Sequence, residues 1–109
     1  MKFEQEIFEL ISHTGEARNN IFNALNEMME NNKEKSDEFL KLANQQMIEA
    51  HNMQTKLIQK DIEEDGINVS LLMVHAQDQF MTAMSEEFLV KKMIEMYGTI
   101  HALEAKVNV

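Results

Sequence analysis

The most apolar window of this 109-residue chain is residues 71–84, LLMVHAQDQFMTAM. On a helix with 3.6 residues per turn its apolar side chains fall on every side. A helix that is apolar all round is buried all round, and two further helices of a small chain cannot cover it completely. The simplest interpretation is that residues 71–84 lie at a subunit interface, where copies of this helix pack against one another.

The residues that follow continue the apolar pattern. Apolar side chains recur there at heptad spacing: Leu89, Met93, Met96, Ile100, Leu103 and Val107. The two parts together predict a helix over about residues 70–106, with Ser70 as its N-cap because a serine oxygen accepts a hydrogen bond from a free N–H of the first turn. Gly66 is expected to end the preceding helix, and residues 64–69 are the only loop of appreciable length.

Two amphipathic segments precede this helix. Apolar side chains at steps of three and four predict one helix over about residues 2–31, and a seam of apolar, small and polar side chains predicts another over about 33–63. Asn31, between them, tolerates the left-handed conformation that ends many helices. Glycine inside a helix costs about 1 kcal/mol relative to alanine, so we expect a close backbone approach at Gly15. The pattern offers no reason for Gly98.

Composition limits the fold class. The chain has no proline, three glycines and no cysteine, whereas all-β domains need frequent Gly- and Pro-containing turns and phosphate-binding loops need clustered glycines. The length allows a single domain, residues 1–109. Because short connections make sequential helices antiparallel neighbours, the sequence predicts an all-α, up-down-up three-helix bundle that assembles through its third helix.

Charge and cysteine content exclude several kinds of function. Ten basic and nineteen acidic residues give a net charge of −9, which argues against a nucleic-acid partner because such binding neutralises phosphates with Lys and Arg. The absence of cysteine excludes disulfides, thiolate metal sites and a thiol nucleophile. Residues 1–20 contain no apolar leader segment, and no apolar run is long enough to cross a membrane. We therefore expect a cytoplasmic protein.

The candidates for chemistry are the four histidines. No Glu-x-x-His or His-Glu-x-x-His pattern is present, which excludes ferritin-like and zincin metal sites. Three histidines have structural interpretations. His13 is expected on the surface or rim of the bundle, His51 is expected to be buried and hydrogen-bonded, and His101 lies near a helix C-terminus, where a cation is favourable.

His75 differs because it lies in the apolar window. Asp78 and Gln79 follow it at i+3 and i+4, so the three side chains share one helix face. One interpretation is a satisfied His–Asp contact in the core. Another is a nucleophile, a ligand or an acid–base group. A variant of the second is a small metal-binding trimer in which both His75 and Asp78 are ligands.

Residues 74–78, Val-His-Ala-Gln-Asp, followed by Met81-Thr82, closely resemble the signature of a known family. This family is the enzyme IIA component of the lactose/cellobiose (diacetylchitobiose) class of the bacterial sugar phosphotransferase system. Thr14-Gly-Glu-Ala-Arg18 resembles its motif in helix one, and Glu49-Ala-His51 with Gln54-Thr55 resembles its motif in helix two. Three motifs, in order and on three helices, make the resemblance specific and extend it over essentially the whole chain.

The resemblance implies a fold and a function. The fold is a three-helix protomer that forms a homotrimer. The carrier HPr phosphorylates His75, which passes the group to a cysteine of the cognate IIB, and IIB phosphorylates a β-linked disaccharide as it crosses the membrane through IIC. The match places Asp78 on the trimer axis, associated with a bound metal ion. Three carboxylates there would repel one another, and Mg²⁺, another cation or protonation would relieve the repulsion; no organic cofactor is expected.

A phosphocarrier histidine needs particular surroundings. Apolar neighbours favour the neutral imidazole that attacks phosphorus and exclude water that would hydrolyse the phosphohistidine. The phosphoryl group brings nearly two negative charges, and Gln77 and Gln79 are candidate hydrogen-bond donors to it.

Most family members have a second histidine where this chain has Gln79, so a titratable group is lost. A non-catalytic regulatory or interaction paralogue on the same fold is therefore the alternative. Ala76 favours the cellobiose/chitobiose branch over the lactose branch, where glycine is typical.

Overall fold

Three helices make up the described chain. The computed structural model describes residues 3–63 and 70–107 and contains α1 (Glu4–Met29), α2 (Lys33–Glu63) and α3 (Leu71–Val107). The all-α prediction is confirmed, since no strand occurs within these ranges. Each predicted helix end lies within two residues of the observed one.

α1 carries the core of the protomer because it packs against both other helices. Its buried side chains recur at steps of three and four, as its apolar stripe predicts: Ile7, Leu10, Thr14, Ala17, Ile21, Ala24 and Met28. α2 contributes the buried Ala43 and Ala50, and α3 contributes Ala76 and Ala83 around the fully buried Phe80. Alanines let the helix axes approach closely, while α2 and α3 contact each other little.

Local hydrogen bonds set the helix ends. Asn31 adopts the left-handed conformation, with φ of 63°, as predicted. After it, the buried Ser36 hydroxyl donates to the Ala24 carbonyl over 2.8 Å and ties the start of α2 to α1. At the start of α3, the Ser70 hydroxyl accepts a hydrogen bond from the Met73 N–H at 3.1 Å, which confirms the predicted N-cap.

α3 runs parallel to α1, as an up-down-up order requires. Gln79 near the start of α3 lies beside Gly15, and His101 near its end lies 2.7 Å from the Met28 carbonyl at the end of α1. The bundle is 66 Å long and 18 by 17 Å in cross-section. Among the described residues, no helix is long and apolar enough to cross a membrane.

One side of α3 has no cover within the described residues. α1 packs against the side that carries Ala76, Phe80, Ala83 and Val90. The opposite side is exposed along most of the helix, and most of its large side chains are apolar, with Lys92 and Glu95 as charged exceptions. We call this surface the open face of α3, and it contains Leu71, Val74, Asp78, Met81, Ser85, Phe88, Leu89, Met96, Ile100 and Leu103. The apolar window is thus buried on one side in the protomer, and the other side is left for the predicted subunit interface.

Both glycines within the described helices have room for a methyl group. An added Cβ at Gly15 would lie 3.8 Å from the Gln79 amide nitrogen, and one at Gly98 would lie 3.5 Å from Met28 Cε. Both are ordinary van der Waals distances to side-chain atoms. The expected close backbone approach at Gly15 is therefore wrong for the protomer. The third glycine, Gly66, and the loop predicted around it lie outside the described residues.

Gly98→Ala is expected to stabilise the protein by roughly 0.5–1 kcal/mol, because alanine restricts the unfolded chain and the folded helix has room for its methyl group. Thermal unfolding followed by far-ultraviolet circular dichroism measures the change. Gly15→Ala is the matched second variant and should gain a similar amount. A lower melting temperature for Gly98→Ala would contradict the packing described at Met28.

Candidate functional site

His75 lies in the second turn of α3, which begins at the Ser70 cap. The side chains of His75 and Asp78 are exposed, whereas those of Gln77 and Gln79 are half-buried. No hydrogen bond or ion pair joins His75 to Asp78 in the part of the chain that the structure describes. The interpretation of a satisfied His–Asp contact in the core is therefore wrong.

The two candidate donors lie on opposite flanks of α3. At 100° per residue, Gln79 is about 40° from His75 around the helix, and Gln77 is about 160° from it. The contacts agree with this geometry: Gln79 lies against α1 beside Gly15, and Gln77 accepts a hydrogen bond from Gln54 of α2. Within one protomer, only Gln79 shares a flank with His75.

A cleft between α1 and α3 adjoins this flank. It has a volume of about 480 Å³, and its lining includes Gly15, Arg18 and Phe22 of α1 and Gln79 of α3. The Gln79 Oε1 atom is buried and takes no hydrogen bond from the described residues. The carbonyl of this amide is thus turned inward, and its nitrogen is the atom available to a ligand in the cleft.

Arg18, which lines the cleft, links α1 to α3 through an ion pair. Its guanidinium binds the Glu86 carboxylate at two points, with Nε 2.6 Å from Oε1 and the terminal nitrogen Nη2 3.2 Å from Oε2. A two-point arginine–carboxylate contact fixes orientation as well as distance. Because both side chains are partly exposed, the pair contributes little net stability. Its main effect is to hold α1 against α3 beside Gln79.

The opposite flank of α3 meets α2 at a few side chains. The Gln54 amide donates to Gln77 Oε1 over 2.5 Å. One turn earlier, the His51 ring stacks on Phe80 with ring centres 6.2 Å apart. His51 is exposed, so the expectation of a buried histidine is wrong. It lies instead beside a largely apolar cavity of about 200 Å³ that Phe80 and Met84 also line.

The remaining two histidines have structural partners. His13 is half-buried, and its Nδ1 lies 3.4 Å from the Glu49 carboxylate. His101 hydrogen-bonds through Nε2 to the Met28 carbonyl at 2.7 Å, and its Nδ1 lies 3.4 Å from Glu104. It therefore caps the C-terminus of α1, a contact that its position in the sequence does not reveal.

No group of three His, Asp or Glu side chains that could hold a metal ion occurs among residues 3–63 and 70–107 of one protomer. Asp78 presents a single exposed carboxylate on the open face of α3. A metal site built on Asp78 would therefore need ligands from outside this set, such as the same residue of further copies of the chain.

Comparison with known proteins identifies the family. Residues 5–98 match the family model of the lactose/cellobiose-specific IIA subunit of the phosphotransferase system. The chain belongs to this family. It is 35% identical over 96 residues to the oligo-β-mannoside-specific EIIA component of Bacillus subtilis, which covers 88% of this chain and 87% of that protein.

Solved structures support the same assignment for this IIA component. The crystal structure of the cellobiose-specific enzyme IIA from Bacillus anthracis matches with a TM-score of 0.88 at 32% identity, covering 94% of each chain. A chain from the solution structures of the IIA(chitobiose)–HPr complex of Escherichia coli matches with a TM-score of 0.81 at 31% identity, covering 93% of this chain and 98% of that one. The chain is thus a sugar-specific component of the phosphotransferase system.

Sequence analysis of this IIA component does not identify Arg18, Glu86 or Gln54 as site residues. Arg18 and Gln54 belong to the motifs in helices one and two, so motif membership is the signal that could have found them. Glu86 belongs to no motif, and only the fold brings it to Arg18, 68 residues away in the chain.

Proposed function

We propose that this IIA component is a phosphocarrier that accepts a phosphoryl group from phospho-HPr on His75 and passes it to a cysteine of its cognate IIB. The observation that carries the proposal is the position of His75, an exposed imidazole one turn from Gln79 and its cleft. The E. coli IIA(chitobiose) of similar structure forms a complex with HPr, which supports HPr as the donor.

Transfer onto His75 exchanges one bond to phosphorus for another. A ring nitrogen of the neutral imidazole attacks phosphorus with its lone pair, the bond from phosphorus to HPr breaks, and HPr retains that electron pair. His75 loses a proton from its other ring nitrogen, and the released group of HPr takes up one. The second transfer repeats the exchange with a thiolate of IIB as nucleophile, since this chain has no cysteine.

The open face of α3 supports a homotrimer as the working form. Three parallel α3 helices would bury side chains such as Met81 and Met96, which are 65% and 63% exposed in the protomer, and the heptad spacing beyond residue 89 is typical of such packing. In this ring the His75 flank of one subunit faces the Gln77 flank of the next. Gln79 then donates to the phosphoryl group from the same chain as His75, and Gln77 donates from the neighbour.

Asp78 would meet two copies of itself on the threefold axis. Three carboxylates supply the oxygen ligands that suit Mg²⁺ or another cation. Such an ion neutralises charge at the centre of the trimer and takes no part in phosphoryl transfer. The exposed carboxylate on the open face supports this arrangement.

The sugar in this proposal is a β-linked disaccharide of the cellobiose/chitobiose type. Relatives named above are specific for oligo-β-mannosides and cellobiose or belong to the diacetylchitobiose branch, and Ala76 agrees with the cellobiose/chitobiose branch. IIA exchanges phosphoryl groups with HPr and IIB only, so the sugar itself is handled by IIB and IIC. Because HPr is a cytoplasmic carrier, the proposal includes a cytoplasmic location for this chain.

Phosphorylation of His75 is the first test. With phosphoenolpyruvate, enzyme I and HPr, the wild-type protein is expected to take up an acid-labile phosphoryl group, and His75→Ala is expected to take up none. Mass spectrometry of the intact protein at alkaline pH measures the label. His101→Gln is the control, since it keeps a donor near Met28 and should be labelled like the wild type.

Normal labelling of His75→Ala would overturn the assignment of the nucleophile. A wild-type protein that phospho-HPr does not label, or that passes nothing to its cognate IIB, would favour the regulatory paralogue instead.

Met96→Lys tests the homotrimer. Three lysines at this position of the open face would repel one another and remove apolar contact, so the variant is expected to be a monomer of 12.7 kDa where the wild type has three times that mass. Multi-angle light scattering measures both. Leu42→Lys on α2, also an exposed apolar position, should leave the trimer intact. A monomeric wild type, or a trimeric Met96→Lys, would contradict the proposed assembly.

Removal of divalent cations tests the role of Asp78. If a cation binds the folded trimer at a hundred times its Kd, chelation is expected to reduce stability by about 2.7 kcal/mol, seen as a lower melting temperature. Asp78→Asn should not respond to the chelator, whereas Asp37→Asn, at an exposed carboxylate of α2, should respond like the wild type. A wild-type protein indifferent to the chelator would eliminate a divalent ion on the axis.

A further inference from the structure

We propose that Gln54 is a positioning residue, whose hydrogen bond to Gln77 directs the Gln77 amide nitrogen toward the phosphoryl group on His75 of the neighbouring subunit. The inference rests on the proposed function and on the parallel homotrimer. It gives a role to a side chain of α2, a helix from which the sequence suggests no residue for phosphoryl transfer.

The hydrogen bond between the two glutamines has a direction that matters. A glutamine amide donates at one end and accepts at the other. Gln54 Nε2 donates to Gln77 Oε1 over 2.5 Å, and within the described ranges this is the only hydrogen bond to the Gln77 side chain. The Gln77 nitrogen is thus left with both hydrogens available to an acceptor outside the protomer.

The inverted pair would be unfavourable next to a phosphoryl group. If Gln77 donated to Gln54 instead, its Oε1 would face outward, toward oxygens that carry nearly two negative charges. Two acceptors in contact repel each other, whereas N–H groups directed at an anion form hydrogen bonds of the stronger, charge-assisted kind. The observed orientation is the one that suits an anion.

α2 is held in place at this level of the bundle. His51, one turn before Gln54, stacks on Phe80, and Leu57, three residues after Gln54, is only 1% exposed. These contacts maintain the separation that Gln54 spans, although α2 and α3 contact each other little elsewhere. The half-buried Gln54 can therefore act on the orientation of Gln77 without being required for the fold of α3.

Two substitutions separate orientation from packing. Gln54→Glu has nearly the same shape but only accepts hydrogen bonds, so it requires the Gln77 amide to donate to it and to turn Oε1 outward. Gln54→Met keeps the volume and makes no hydrogen bond, so Gln77 is free to rotate. Asn20→Asp is the matched control, because Asn20 donates to Gln46 Oε1 over 2.8 Å between α1 and α2, outside the site.

The readouts are the single-turnover rate constant for transfer from phospho-HPr to His75 and the KM for HPr. The expected order of rate constants is wild type, Gln54→Met, then Gln54→Glu, with the last lowered roughly tenfold, the factor for one hydrogen bond to a charged group. The KM, the trimer mass and the melting temperature should stay close to wild type. Asn20→Asp should match the wild type in rate constant.

A double-mutant cycle with Gln77→Ala decides whether Gln54 acts through Gln77. If it does, Gln54→Glu causes no further loss in the Gln77→Ala background. A loss that persists there would mean that the new carboxylate acts by its own charge, or that Gln54 is only structural, and it would overturn the inference. Equal rates for Gln54→Met and Gln54→Glu would overturn it as well. A wild-type protein that is unlabelled at His75 or monomeric would instead overturn the proposed function, so the two failures are distinguishable.

Discussion

The side of α3 that α1 leaves uncovered is the constraint on which the rest of the structure depends. α1 buries Ala76, Phe80 and Ala83 but cannot reach around the helix, so the open face from Leu71 to Leu103 stays exposed in the protomer. Apolar surface of this extent favours association, because burial removes it from water. His75 lies at the edge between the covered and uncovered sides, so its surroundings depend on what covers the open face.

The two candidate donors, Gln77 and Gln79, are both glutamines. Both are therefore neutral amides, and an amide presents either a donor or an acceptor. The structure fixes the orientation of the two amides in two different ways. Gln79 has its carbonyl oxygen buried in the protein near the Arg18–Glu86 ion pair. The carbonyl oxygen of Gln77 accepts a hydrogen bond from Gln54.

The helices and their ends could be predicted because they depend on residues that are close together in the sequence. The buried stripe of α1 and the caps at Asn31 and Ser70 follow from side chains within a turn or two of one another. His75 could be identified as a candidate from its neighbours in the sequence, and the opposite flanks of Gln77 and Gln79 follow from helix geometry alone.

The partners of the site residues could not be predicted, because they depend on how the helices meet. His101 and Met28 are 73 residues apart, and Gln54 and Gln77 come together only where α2 approaches α3. The periodicity of α2 placed His51 beside the buried seam, yet His51 is exposed because α2 and α3 make little contact.

A carrier must hold its phosphoryl group and still release it. Groups that stabilise the phosphohistidine and the transition state equally do not raise the rate of transfer, and the only cation described beside the site, Arg18, is already paired with Glu86. Neutral amides donate weaker hydrogen bonds than cations do. If Gln79 and Gln77 come from different subunits, each also approaches the group from its own side. Orientation without strong binding is what two successive transfers require, and under the proposed function it would allow His75 to act without a second histidine beside it.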